Sequence, residues 1–246
     1  MRARCVTQEI AFTCAPHPEP NDKVAVHVPA TFDASTPFTI CVFLHGLSGD
    51  VPFEDHIERA IAQMASSSVN AVLVAPRCGD RCETGAFQDA AGFPSFISEL
   101  EATLPASGAA PIVLAVFSGG WRPLGAILNG LLAQPSPFAD RLKGILLLDC
   151  VYGPLSSAAV VAWQEQRRAQ TTLLSIYGRD TMDNARAANL ALVEALKETG
   201  PVQTGPRQSY PPGSVTFIEV TTPHIEIISD GPPANPLATF LDRLTA

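Results

Sequence analysis

The chain has 246 residues, 46% of them hydrophobic and only 16% charged, the balance of a well-packed globular protein and not of a disordered one. Its formal net charge of −8, with no basic patch, argues against a nucleic-acid partner. No apolar run approaches the roughly 20 residues of a membrane-spanning helix, and the length suits one α/β domain over residues 1–246 better than two small ones.

Met1 to Cys5 carries basic residues with no apolar stretch behind them, so no intact signal peptide is read, and the compartment stays open between cytosol and an exported, processed form. Val6 to Phe12 and Lys23 to Val28 read as two strands joined by a Pro-rich turn, an antiparallel start. From there strand and helix signals alternate. Phe38 to Leu44, Asn70 to Ala75, Ile112 to Phe117, Gly144 to Leu148, Thr172 to Tyr177 and Ser214 to Val220 read as strands. Ile57 to Met64, Phe93 to Leu104, the stretch from Trp121, Ala158 to Ala169, Ala185 to Leu196 and Pro236 to Leu244 read as helices. The strands are continuously apolar instead of alternating, which implies burial on both faces. The expectation is an α/β fold: a mostly parallel sheet of eight strands with helices on both faces. The Pro-rich stretches Gly200 to Pro212 and Gly231 to Pro236 read as loops inside that sheet, and no insertion is long enough for a helical lid. An open, shallow site is expected.

The most telling segment is Pro111-Ile-Val-Leu-Ala-Val-Phe-Ser118-Gly119-Gly120. A buried strand ends in Ser-Gly-Gly, and Trp121, Leu124, Ile127, Leu128, Leu131 and Leu132 follow at helical spacing. A serine at a strand-to-helix turn is held exposed by a strained backbone that small neighbours permit, the signature of a nucleophile elbow. Val116 stands where such elbows carry their first glycine. In an open α/β sheet, ligands bind beyond the carboxyl ends of the strands. Those ends carry His45-Gly46-Leu47, Ser118, Asp149, Gly178-Arg179-Asp180 and, after the last strand, His224.

With these motifs the chain resembles the α/β-hydrolase superfamily over nearly its whole length, in the order serine, acid, histidine. The resemblance implies Ser118 as nucleophile and His224 as general base, and an oxyanion hole from the backbone N–H of Gly119 with that of Gly46 or Leu47. It implies no metal and no organic cofactor. Most members place the acid after the strand that ends here at Tyr177, which points to Asp180, although the spacing from Gly178 is one residue short. A minority place it one strand earlier, which points to Asp149 in Leu147-Leu-Asp-Cys-Val-Tyr-Gly153. The Ser-Gly-Gly-aromatic-Arg and Leu-Asp-x-x-Tyr-Gly motifs resemble a bacterial branch that weighs toward Asp149. Both aspartates remain candidates. The implied activity is hydrolysis of a small-molecule carboxylic ester through an acyl-enzyme, with an amide or peptide substrate, or a catalytically silent binding domain, as the alternatives.

Trp121, Arg122 and Tyr152 are candidate substrate-binding residues, Arg122 either facing the cleft as an anion partner or pairing with a surface acid. Phe87 is a further candidate pocket wall. His45 reads as a brace for the oxyanion loop, while His17, His27 and His56 are expected at the surface or sheet edge. Cys5 with Cys14, and Cys78 with Cys82, are possible disulfides, the second a stiff rim for the pocket. Cys41 and Cys150 lie in or beside strands and read as small hydrophobes.

Overall fold

The computed structural model describes residues 6–18, 21–48, 51–104, 108–134, 136–179, 184–229 and 233–244. Among the described residues, nine strands form one sheet: β1 (Val6–Ala11), β2 (Lys23–Val28), β3 (Thr39–Leu44), β4 (Ala71–Pro76), β5 (Ile112–Phe117), β6 (Leu142–Leu148), β7 (Thr172–Gly178), β8 (Gln203–Thr204) and β9 (Val215–Val220). Their order across the sheet is β1-β2-β4-β3-β5-β6-β7-β9-β8. β1 and β2 pair antiparallel, as does β2 with β4, and every other pairing is parallel. The ninth strand departs from the expected eight. β8 is two exposed residues between Pro201 and Pro206, and edge pairing with β9, not any apolar pattern, makes it a strand.

The helices are α1 (Phe53–Met64), α2 (Gly92–Thr103), α3 (Trp121–Ala133), α4 (Pro137–Arg141), α5 (Pro154–Arg167), α6 (Ala185–Lys197) and α7 (Pro236–Arg243). Period-two alternation sends neighbouring strand residues to opposite faces, and here both faces are apolar. Ile40, Val42 and Leu44 of β3, with Ile112, Leu114 and Val116 of β5, join a core with residues of α2, α3, α5 and α6. Cys41, Phe43, Val113, Ala115 and Phe117 join a second core with residues of α1 and α7. α5 starts four residues before the expected Ala158, because Pro154 sits at its first position, where a missing N–H costs nothing. Short α4, capped by the Ser136 hydroxyl accepting from Phe138 N, carries no apolar period to reveal it.

The strand order reverses direction at β3: the chain steps from β3 out to β4, then returns to the other side of β3 as β5. A crevice opens at such a reversal, beyond the carboxyl ends of the two strands. The His45 loop and Ser118 leave those two ends.

Candidate active site

β5 ends at Phe117 in extended backbone, and Ser118 then turns into the left-handed region at φ 49° before the chain enters α3. A side chain there is strained by about 1–2 kcal/mol, and such outliers gather at functional sites. Among described non-glycine residues, four have positive φ, and three of them, Ser118, Asp149 (43°) and Cys82 (52°), meet at this site. Val116, in place of the elbow's first glycine, is fully buried in the core, and Ser118 reaches the left-handed turn with it there. Gly120 is indispensable on packing grounds, since a Cβ there would lie 2.5 Å from the Leu44 carbonyl oxygen.

His224 opens a single 3-10 turn, His224–Glu226, beyond β9. Its Nε2 lies 2.9 Å from Ser118 Oγ, and its Nδ1 lies 2.7 Å from Asp149 Oδ2. A carboxylate accepts, so the Nδ1 proton faces Asp149 and Nε2 is free to accept from the serine. The imidazole stacks on Phe117, with ring centroids 4.9 Å apart and planes at 25°. Phe117 precedes the serine, so one strand end supplies both the hydroxyl and a platform for the ring that receives its proton.

Asp149 is buried at the end of β6, where its N–H still bonds Ile176 O on β7 at 2.8 Å. The positive φ then turns the carboxylate back over the sheet end. Oδ1 accepts from Gly178 N at 3.1 Å, leaving Oδ2 for His224. The sequence left Asp149 and Asp180 open. Asp149 occupies the Nδ1 side of His224, and Asp180 lies outside the described residues.

The His45 loop approaches the elbow closely. A Cβ on Gly46 would lie 3.0 Å from Ser118 Cβ, and one on Gly119 would lie 3.0 Å from Leu47 Cγ and from Cys82 Sγ. A Cβ at either position would press on neighbouring side chains, which would have to shift to admit it. His45 is fully buried, and its Nε2 accepts from Cys78 N at 2.9 Å. Its proton is therefore on Nδ1, which donates to Gly46 O at 2.6 Å. Burial pushes its pKa down to about 4, keeping the ring neutral. The Gly46 carbonyl and the Leu47 N–H belong to one planar trans peptide, so holding the carbonyl on His45 turns the Leu47 N–H the opposite way.

Tyr152, on the short connection from β6 to α5, places its hydroxyl against the Asp149 carbonyl oxygen and 3.3 Å from Ser118 Oγ. Among the described residues no acid pairs with Arg122: its Nη1 donates to Arg81 O at 2.6 Å and its guanidinium lies 5.2 Å from the Trp121 ring centroid. Trp121 is half-buried against the core. Phe87 is not a pocket wall. It is fully buried and packs edge-on against Phe93 and Phe96.

Cys78 and Cys82 are free thiols, not a disulfide. Each is engaged with a different backbone carbonyl, Cys78 with Pro76 O at 3.7 Å and Cys82 with His45 O at 3.2 Å. Burial pushes the Cys82 thiol up to about 12, so it stays protonated. Cys14 is also free, and Cys5 lies outside the described residues. Two histidines expected near the surface are buried. His27 bonds Thr7 Oγ1 at 2.8 Å, and His56 packs edge-on against Phe117. Among the described residues no cluster of three His, Cys, Asp or Glu is arranged to hold a metal, and no helix is long and apolar enough to cross a membrane.

The sequence matches no protein-family model and no curated protein. Solved structures do match. A thermostable esterase from Pseudomonas putida aligns over 98% of this chain and 84% of its own, with TM-score 0.63 and 17% identity. The feruloyl esterase module from Clostridium thermocellum, in complex with sinapinate, aligns over 99% of this chain and 89% of its own, at TM-score 0.58 and 14% identity. Esterase B from Lactobacillus rhamnosis aligns over 88% and 74%, at TM-score 0.54 and 10% identity. At these identities the likeness is one of fold.

Proposed function

We propose, from the α/β-hydrolase fold that this chain has, that it is a one-domain serine hydrolase cleaving a small-molecule carboxylic ester through an acyl-enzyme on Ser118. The observation that carries this reading is the unbroken relay from Ser118 Oγ to His224 Nε2 (2.9 Å) and from His224 Nδ1 to Asp149 Oδ2 (2.7 Å). Two of its three members are held at positive φ. A packing accident would have no reason to sustain that strain twice in one relay.

The geometry supports the following chemistry. A serine hydroxyl is a weak nucleophile until a base takes its proton, and neutral imidazole at hydrogen-bond distance is that base. As Nε2 takes the proton, Oγ attacks the carbonyl carbon, and the carbonyl oxygen becomes an oxyanion. Backbone N–H groups of Gly119 and of Gly46 or Leu47 stabilise it, each worth about 3 kcal/mol. Asp149 steadies the imidazolium and holds its tautomer. Collapse expels the alcohol, which takes its proton from His224. Water then repeats the sequence on the acyl-enzyme, releasing the acid. The ester, in preference to an amide, is supported by the esterases among the structural neighbours.

The test is labelling with a fluorophosphonate probe, read by mass spectrometry, beside turnover of p-nitrophenyl esters. The wild type should carry the adduct on Ser118 and hydrolyse the esters, and Ser118→Ala should do neither. A folded wild type that takes no label and, like Ser118→Ala, hydrolyses the esters no faster than buffer alone sinks the enzyme reading and leaves a binding domain.

A further inference from the structure

The phenol of Tyr152 meets the nucleophile oxygen Ser118 Oγ and the backbone carbonyl oxygen of Asp149, and has one proton to give. We propose that Tyr152 is a catalytic residue of this site, donating its O–H to Ser118 Oγ while negative charge develops there. The inference rests on the serine-hydrolase reading and adds to it a donor that acts on the nucleophile itself, not on the substrate's carbonyl oxygen.

The proton count makes the case. The Asp149 carbonyl oxygen only accepts, so its contact with Tyr152 Oη requires the phenol proton. The serine proton in turn goes to His224 Nε2 at 2.9 Å, the nearer of its two neighbours, with Tyr152 Oη at 3.3 Å. At rest, then, the single phenol proton has two acceptors, the nearer Asp149 carbonyl oxygen and Ser118 Oγ at 3.3 Å. When His224 takes the serine proton, electron density rises on Oγ, and rotation about the Cζ–Oη bond turns the phenol O–H onto it. No bond to Tyr152 breaks, and the phenol keeps its proton throughout. In the second half-reaction Oγ is the leaving group; it regains its proton from His224, and the phenol turns back to the Asp149 carbonyl.

Two further features fit this role. The phenol is positioned from behind: Tyr152 N and Gly153 N both donate to Ser156 Oγ, at 2.8 and 3.0 Å, and Ser156 Oγ donates to Gly153 O at 2.8 Å. This clamp in the first turn of α5 fixes the short connection that carries both the acid and the phenol. Burial also pushes the Tyr152 pKa well above the ordinary tyrosine range, so the group remains a donor across any working pH.

The experiment is Tyr152→Phe, assayed on p-nitrophenyl acetate, butyrate and octanoate and with the fluorophosphonate probe. Losing a donor to a developing charge should lower kcat about ten- to a hundredfold, equally for all three esters, with KM little changed. Probe labelling should slow by a similar factor and still fall on Ser118. A residue that merely lines the acyl pocket would instead shift KM with chain length. Unchanged kcat on a labelled enzyme, or a loss confined to KM or to one ester, overturns this inference alone. A wild type that forms no Ser118 adduct overturns the hydrolase reading and this inference with it. Should Tyr152→Phe fail to fold, 2,3,5-trifluorotyrosine at position 152 keeps the shape and lowers the phenol pKa. As the stronger hydrogen-bond donor it should change kcat by one common factor for all three esters at a single pH, and a kcat equal to that of the wild type would refute the donor role.

Discussion

Replacing Asp149 with asparagine changes one oxygen to NH2 and tests the relay at its buried end. Among the described residues, Asp149 accepts from Gly178 N–H on Oδ1 and from His224 Nδ1–H on Oδ2. An asparagine amide offers a single acceptor. If its oxygen faces His224, its NH2 faces the Gly178 N–H, and the unsatisfied buried donors cost about 1–3 kcal/mol. If instead the oxygen faces Gly178, the NH2 faces Nδ1, and His224 accommodates it by moving its proton to Nε2. The second arrangement keeps both hydrogen bonds, so it wins. The imidazole is then in the wrong tautomer, because Nε2 carries a proton and donates to Ser118 Oγ when it needs to accept. The expected loss is about 10⁴-fold in kcat, equivalent to about 5.5 kcal/mol of transition-state stabilisation at 1.36 kcal/mol per tenfold. KM and the unfolding midpoint should stay near wild type. The assay is steady-state hydrolysis of p-nitrophenyl butyrate by Asp149→Asn and Asp180→Asn, each checked by thermal melting. A folded Asp149→Asn variant retaining a tenth of the activity, or an Asp180→Asn variant that loses it, refutes the assignment of the acid.

The left-handed backbone at Ser118 (φ 49°) reverses an ordinary rule. Ser118→Gly should melt no lower than Ser118→Ala, and should be the more stable by about 0.5 kcal/mol in urea titrations, since relief of Cβ strain outweighs the usual entropic penalty of glycine. A glycine variant less stable by 1 kcal/mol would show that the turn is unstrained. The two buried histidines behind the site predict acid sensitivity. Burial holds His45 and His56 each at about 4, below the ordinary 6.5. Between those values the unfolded chain binds more protons, so their stability is intact above pH 6.5 and drains away as pH falls through 4. For His45 the loss at pH 5 is about 2 kcal/mol, with His56 adding in the same direction. Urea midpoints at pH 7 and pH 5 should differ accordingly, and His56→Phe should narrow the gap. Equal midpoints for the wild type at both pH values would contradict it.

Local pattern already carried most of the architecture. Apolar residues at every strand position can be satisfied only if both sheet faces are covered, so a parallel sheet between helices was legible from β3 onward. A buried strand running into Ser118-Gly119-Gly120 and then a helical period announces a sharp turn, whatever surrounds it, and the late, solitary His224 marked the partner within reach of the chain order. What pattern could not weigh was distance between strand ends. Asp149 and Asp180 each follow an apolar strand, and one residue of spacing does not separate them. The choice depends on the sheet order that sets β6 beside β5 and on a positive φ at Asp149, which directs the carboxylate to His224. The same limit hid the burial of His56 under Phe117, the free thiols of Cys78 and Cys82, and the hydroxyl of Tyr152 beside the serine. Periodicity is a property of neighbours along the chain. Which side chains share a proton is decided by long-range packing, and by backbone angles that packing, not residue type, enforces.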